Sequence, residues 1–274
     1  MEQIGKNCSI VSIYQAIFLG LVQGLTEFLP VSSSGHLVIV QNLMNFKQDP
    51  LAFDALLHLG TLAAVLVYFR AELALLAASI LKWLFKRERD KYTALAGYLA
   101  AATVPAAVAG VVFEKLFSDA FQSVMVVGSM LFVTGAILWL ADGRPRGAKT
   151  LENISLADSL KVGLAQAAAV MPGLSRSGAT ISAGIWLGFE RREAARFSFL
   201  LSVPIILGAA LFSLKDGISA VGAPAAAAAM AAAAGSGFLA IAGLMRIIQE
   251  QRLRLFSVYC FIMGSVAFAL AVVR

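Results

Sequence analysis

The sequence predicts an all-α polytopic membrane protein with an inverted-topology repeat. Each half is a re-entrant helical hairpin followed by three transmembrane helices, and an interfacial helix lies near 73–85. Three observations lead there. The 274 residues are 59% hydrophobic and only 14% charged, with a mean hydropathy of +0.82, whereas soluble domains carry about 25% charged residues. Several apolar runs reach the roughly 17–25 residues that a helix needs to cross a bilayer, without the apolar–polar alternation of a β-barrel. Two further apolar stretches are interrupted by polar residues at matching places, PVSSSG (30–35) and PGLSRSG (172–178).

The first hairpin joins about 10–29 to 37–46 around PVSSSG. Spans follow at 52–69, 92–113 and 121–141. Residues 73–85 are too short to span and end in the cationic KRERDK, which fits a helix lying at the cytoplasmic interface. The second hairpin joins about 160–171 to 179–189 around PGLSRSG, and spans 197–214, 223–245 and 255–273 complete the chain. In the alanine-rich run 225–234, small side chains let neighbouring helices approach closely.

Loops 86–91, 143–149, 190–196 and 246–254 are basic, which assigns them to the cytoplasm; 114–120 and 215–222 carry one lysine each and fall outside. Because 143–149 and 190–196 share a side, the segment between them must leave and return. Its two apolar pieces are each too short to cross. Non-helical backbone at that depth is tolerated only under cover of protein or a watery cavity. The breaks align 143 residues apart, Gly20-Leu-Val-Gln23 over Gly163-Leu-Ala-Gln166 and Ser32-Ser-Ser-Gly35 over Ser175-Arg-Ser-Gly178. The chain reads as a single membrane domain, 1–274, with its repeat at approximately 10–141 and 155–273. Both termini lie outside, and the N-terminal segment, which has no small-residue cleavage site, is retained.

The net charge of +6 follows from the loop lysines and arginines and does not indicate a nucleic-acid partner. Cys8 and Cys260 stand at opposite ends and are expected as unpaired, inert thiols. Two histidines without HExxH do not support a zinc enzyme, and there is no GxxxxGK[ST] for a nucleotide. Any phosphate chemistry therefore belongs to the membrane-embedded breaks, which points to a lipid phosphate or pyrophosphate.

In the second break, Pro172 and Gly173 permit a turn, and the half-helix that follows offers free backbone N–H groups to an anion. Ser175, Ser177 and Thr180 add hydroxyls. Arg176 adds a planar fork suited to phosphate oxygens, with Thr180 four residues on and on the same helical face. The structural alternative for Arg176 is an ion pair with Glu27. In the first break, Gln23 and Glu27 share a helical face and are candidates to hold a hard divalent cation; Glu27 alone also suits a proton acceptor. His36, next to Ser32, Ser33 and Ser34, has a side chain suited to acid–base work near neutral pH, and a serine beside it suits a nucleophile. His58 has no such neighbours in sequence and is read as structural.

At these residues the sequence resembles the undecaprenyl-diphosphate phosphatase family, the bacitracin-resistance proteins. The resemblance rests on Gln23-Gly-Leu-Thr-Glu27 running into Phe-Leu-Pro-Val-Ser-Ser-Ser-Gly-His36, and on Pro172-Gly-Leu-Ser-Arg-Ser-Gly-Ala-Thr180. It covers essentially the whole chain. It implies hydrolysis of undecaprenyl diphosphate to undecaprenyl phosphate and inorganic phosphate, in the bacterial plasma membrane, with the site open to the outer face. It also implies a divalent cation, Mg²⁺ or Ca²⁺, with Glu27, His36 and Arg176 essential and Ser33 the nucleophile. Gln23 stands where some members have Glu, which removes one charge from a two-carboxylate metal site. The expected reaction has Ser33 or a water attacking the terminal phosphorus while His36 manages the proton. Ser32, Ser34, Gly173, Ser175, Ser177 and Thr180 are expected to line the substrate. A polyprenyl-phosphate transporter or flippase is the rival, since broken helices in inverted repeats are a transporter architecture. The resemblance leaves a homodimer open.

Overall fold

The structure, a computed structural model, describes residues 12–44, 46, 50–113, 123–213, 222–250 and 253–273. Cys8, loop 114–120 and nearly all of loop 215–222 lie outside them. The described residues form eleven α-helices: α1 (Ile13–Phe28), α2 (Ser33–Leu43), α3 (Pro50–Tyr68), α4 (Arg70–Lys86), α5 (Lys91–Val112), α6 (Val124–Asp142), α7 (Leu156–Ala168), α8 (Arg176–Trp186), α9 (Arg191–Ser213), α10 (Ala223–Ile247) and α11 (Leu253–Val273). Among the described residues there is no strand, only an isolated bridge between Lys149 and Phe189.

Local sequence explains where several helices start. Asp90 accepts from the Thr93 N–H at 2.8 Å to open α5, and Ser155 accepts from the Asp158 N–H at 3.1 Å to open α7. Such caps satisfy N–H groups that have no partner inside the helix. Helices α5, α6, α9, α10 and α11 are long and apolar enough to cross a membrane, so the chain is a multi-pass membrane protein. The sixth expected span, α3, passes that test only together with α4, from which it turns by 84°.

The helices pair in a pattern that repeats. Helix α1 packs on α10 as α7 packs on α5; α3 meets α10 as α9 meets α5; and α3 meets α9, as α6 meets α11. Two glycines permit the closest approaches. A methyl group at Gly20 would run into the Ala229 carbonyl, and one at Gly163 into the Ala102 carbonyl. The main core lies where α1, α3, α5, α6, α7, α8 and α9 converge, around Phe28, Phe197, Phe199 and Leu138.

The four basic segments gather at one end of the molecule. Arg191 and Arg254 both pair with Asp142, Arg196 with Glu72, Lys91 with Glu152 and Lys149 with Asp158. Cys260 is buried and unpaired, as expected.

Candidate active site

Both breaks sit in the middle of the bundle. The eleven-residue helices α2 and α8 start at the breaks, and each rises about 16 Å at 1.5 Å per residue. Helix α8 runs from its break to the basic end, where Arg191 pairs with Asp142.

The two starts are built from the same parts. Ser32 precedes α2 and accepts from the Gly35 N–H at 3.2 Å; Ser175 precedes α8 and accepts from the Gly178 N–H at 3.0 Å. Ser32 Oγ lies 3.3 Å from Ser34 Oγ, and Ser175 Oγ 3.2 Å from Ser177 Oγ. The breaks also brace each other. The Gly173 N–H donates to Ser34 Oγ at 3.3 Å, and Ser177 Oγ donates to the Leu29 carbonyl at 3.0 Å. Thr134 of α6 accepts from the Ser175 N–H and donates to the Gly173 carbonyl, both at 3.0 Å.

The turns themselves are reached differently. Gly173 has φ 91°, and a Cβ there would meet the Val127 carbonyl at 2.5 Å. Ser32 has φ 70° with a side chain attached, a conformation that costs on the order of 1–3 kcal/mol. Local bonds hold it in place. Its carbonyl accepts from the His36 N–H at 3.2 Å and from His36 Nδ1 at 2.7 Å.

Glu27 is the centre, 7% exposed. Its Oε1 accepts from Arg176 Nη2 at 2.6 Å. Its Oε2 accepts from Ser33 Oγ at 2.6 Å and from Gln23 Nε2 at 3.1 Å, and lies 3.5 Å from His58 Nε2. Arg176 also donates from Nη1 to the Ser198 carbonyl at 3.2 Å. A buried carboxylate is tolerable only when paired and hydrogen-bonded, and this one is both. The chemistry available is a hydroxyl with a carboxylate on its proton and a guanidinium beside it.

The structure thus brings Gln23, Glu27, Ser33 and Arg176 together across 149 residues of sequence. His36 is oriented otherwise than the sequence led us to expect. Its Nδ1 faces a carbonyl, which only accepts, so Nδ1 carries the proton and Nε2 of the neutral ring accepts from the Tyr259 hydroxyl at 2.7 Å. Ser33 gives its hydrogen bond to Glu27, not to His36. The hydroxyls of Ser175, Ser177 and Thr180 are buried and bonded to the protein; Thr180 donates to the Arg176 carbonyl at 2.8 Å and lies 2.7 Å from Ser198 Oγ.

Four contributors escaped the sequence reading: His58, Ser198, Tyr259 and Thr134. His58, read from the sequence as structural and without neighbours, stands beside Glu27, because packing of α3 against α1 sets its ring there. No spacing rule connects positions 27 and 58. The signal that existed was chemical, one of only two histidines, placed inside an apolar helix.

Comparison with known proteins shows the family. The family profile described as bacitracin resistance protein BacA matches residues 16–266. A protein of Methanobrevibacter smithii named undecaprenyl-diphosphatase is 44% identical, over 94% of this chain and 97% of its own length. One of Syntrophotalea carbinolica with the same name is 43% identical, over 95% of this chain and its full length. Another, from Rubrobacter xylanophilus, is 42% identical over 95% and 99%. The matched stretch contains both breaks and every residue around Glu27, and this chain belongs to the bacitracin resistance protein BacA family.

Proposed function

We infer that this protein is an integral membrane phosphatase that hydrolyses undecaprenyl diphosphate to undecaprenyl phosphate and inorganic phosphate, recycling the lipid carrier for cell-wall synthesis. The observation that carries the reading is the Arg176–Glu27–Ser33 chain of hydrogen bonds, set between two helix starts in the bundle interior. Its relatives bear the name of that activity. A transporter or flippase is not favoured.

We propose the following chemistry. The terminal phosphate is drawn to the first turns of α2 and α8, whose N–H groups and dipoles favour an anion, and to the fork of Arg176. Ser33 Oγ attacks the terminal phosphorus as its proton passes to Glu27 Oε2. The bond from phosphorus to the bridging oxygen breaks, and the lipid phosphate leaves with that electron pair. Water then attacks the phosphoserine, the bond from phosphorus to Ser33 Oγ breaks as Glu27 returns its proton to that oxygen, and inorganic phosphate departs. His36, held by Ser32 and Tyr259, serves this second step through the Tyr259 hydroxyl, which takes the proton of the water as it passes its own to Nε2. Such catalysis is mostly positioning and electrostatics. Ser32, Ser34, Gly173, Ser175, Ser177 and Thr180 shape the substrate site as its frame.

A divalent cation, Mg²⁺ or Ca²⁺, fits the residues present. Gln23 is fully buried; its Nε2 donates to the carboxylate of Glu27, and its Oε1 has no hydrogen-bond partner; a buried oxygen in that state calls for a donor or an ion. Gln23 and Glu27 would hold it. When bound, it would neutralise charge that develops on the phosphate.

We place the protein in the plasma membrane with the basic end in the cytoplasm and the substrate entering from the outer face. We also read its two halves as an inverted repeat, with α4 lying along the cytoplasmic interface. The exchanged helix pairings, the matching helix starts and the 84° turn before α4 support this.

The test is phosphate release by purified protein in detergent, where no gradient or sidedness exists, across C15 to C55 diphosphates. Release that disappears with Arg176→Ala and with chelator is expected. Its absence, together with lipid transport in sealed vesicles, would transfer the reading to the rival. A phosphoserine trapped at Ser33 marks the covalent route, and full turnover by Ser33→Ala would replace it with direct attack by water.

A further inference from the structure

We propose that His58 is a ligand, through Nε2, of the divalent cation held at Gln23 and Glu27; this rests on the reading that the site takes such a cation. Three observations converge. The first is the ring's orientation. His58 Nδ1 faces the Asp54 carbonyl at 2.7 Å, and because a carbonyl only accepts, Nδ1 carries the hydrogen. Nε2, the other ring nitrogen, then faces Glu27 Oε2, 3.5 Å away. Two lone-pair bearers facing each other repel unless a proton or a cation lies between them.

The second is the hydrogen bond behind the ring. Ligating histidines donate their other ring N–H to a carbonyl or carboxylate, which sets the tautomer and aims the ligating nitrogen. His58 has that arrangement inside α3, and Gln41 steadies the same turn by donating to Asp54 Oδ1 at 2.7 Å. The third is the buried oxygen of Gln23, which has no hydrogen-bond partner. Arg176 occupies Oε1 of Glu27 and leaves the Oε2 side to Gln23, Ser33 and His58. His58 is also half-buried, which leaves that side a path for an ion to enter.

The assignment changes the kind of metal. Mg²⁺ and Ca²⁺ prefer oxygen ligands alone, whereas an imidazole beside carboxylate and amide oxygens suits Mn²⁺ and the later first-row ions. The site therefore binds Mn²⁺ more tightly than Ca²⁺, and the preference comes from His58.

The experiment uses the full chain in detergent, without a histidine tag, and Mn²⁺ as the probe. The protein has two histidines, so a directly coordinated imidazole seen by electron spin-echo modulation of bound Mn²⁺ belongs to His36 or His58. The modulation is expected in the wild type and in His36→Gln, and its loss is expected in His58→Gln. Mn²⁺ affinity should fall about tenfold or more in His58→Gln, with Ca²⁺ affinity changed less. If His58→Gln does not fold, the modulation persisting in His36→Gln assigns it to His58 alone. Bound Mn²⁺ without imidazole modulation, or modulation lost with His36 instead, overturns the proposal and marks His58 as an imidazolium partner of Glu27. Absence of Mn²⁺ binding also overturns it; phosphate release by that metal-free protein would leave the phosphatase reading standing.

Discussion

The two breaks share their construction and differ in their chemistry. Each ends in a serine that caps the N–H three residues on, each pairs that serine with the hydroxyl two residues on, and the second gives two hydrogen bonds to the first. Three of the aligned differences set the charged and reactive groups. Where the first break has Glu27, Ser33 and His36, the second has Val170, Arg176 and Ala179. One break carries a carboxylate, a hydroxyl and an imidazole, and the other carries the permanent charge of a guanidinium. On the inverted-repeat reading, one scaffold used twice supplies two helix starts, and the proposed mechanism divides its work between them. The turns differ as well, since Gly173 reaches its left-handed conformation freely while Ser32 holds a similar one with a side chain.

That division can be tested from its strongest element downward. Arg176→Ala removes the only charge of the second break and leaves Glu27 without its guanidinium. Phosphate release should fall by about 10³-fold or more. The folded state should also lose about 3–5 kcal/mol, as when one partner of a buried pair is removed, read as a lower unfolding temperature in detergent. Arg176→Lys keeps the charge without the fork and should recover stability better than turnover.

Glu27→Gln and His36→Gln separate the two proton acceptors of the first break. If Glu27 serves the attack by Ser33, Glu27→Gln should lower turnover by about 10²–10⁴-fold and abolish the phosphoserine burst. His36→Gln should let phosphoserine accumulate. A burst that vanishes in His36→Gln and survives in Glu27→Gln would reverse the two roles.

The shared scaffold predicts equal structural costs at aligned positions. Gly20→Val and Gly163→Val should each destabilise by at least about 1–3 kcal/mol, the usual cost of overpacking, because each opposes a carbonyl of the facing helix. Ser32→Ala and Ser175→Ala should each cost about 1 kcal/mol as lost caps. Unequal melting temperatures within either pair would show that the likeness of the breaks is superficial.

The smallest expected effect lies outside both breaks. Ser79 and Thr93 donate to the carboxylate of Asp90 and hold its pKa below the ordinary 3.8. A depressed carboxyl stabilises the fold above its unfolded value, and that contribution disappears as pH falls through the folded one. Ser79→Ala should therefore lower the unfolding temperature slightly above about pH 4, converge with the wild type in stronger acid, and leave turnover unchanged.

Hydropathy alone determined where the helices run, because a chain in lipid must satisfy its backbone within each apolar segment. The expected spans 92–113, 121–141, 223–245 and 255–273 meet α5, α6, α10 and α11 within a few residues at each end. The motifs also placed Gln23, Glu27, Ser33 and Arg176 in one site, since buried charges and hydroxyls in a membrane segment have few partners other than each other. Tertiary structure decided which partner each one takes. The packing of α3 on α1 set His58 against Glu27, and α11 put Tyr259 on the ring that had been expected to serve Ser33. Those contacts join helices far apart in sequence, and their register is set by close-packed faces such as Gly20 on Ala229 and Gly163 on Ala102. Local sequence carries no record of which atoms such faces bring within reach.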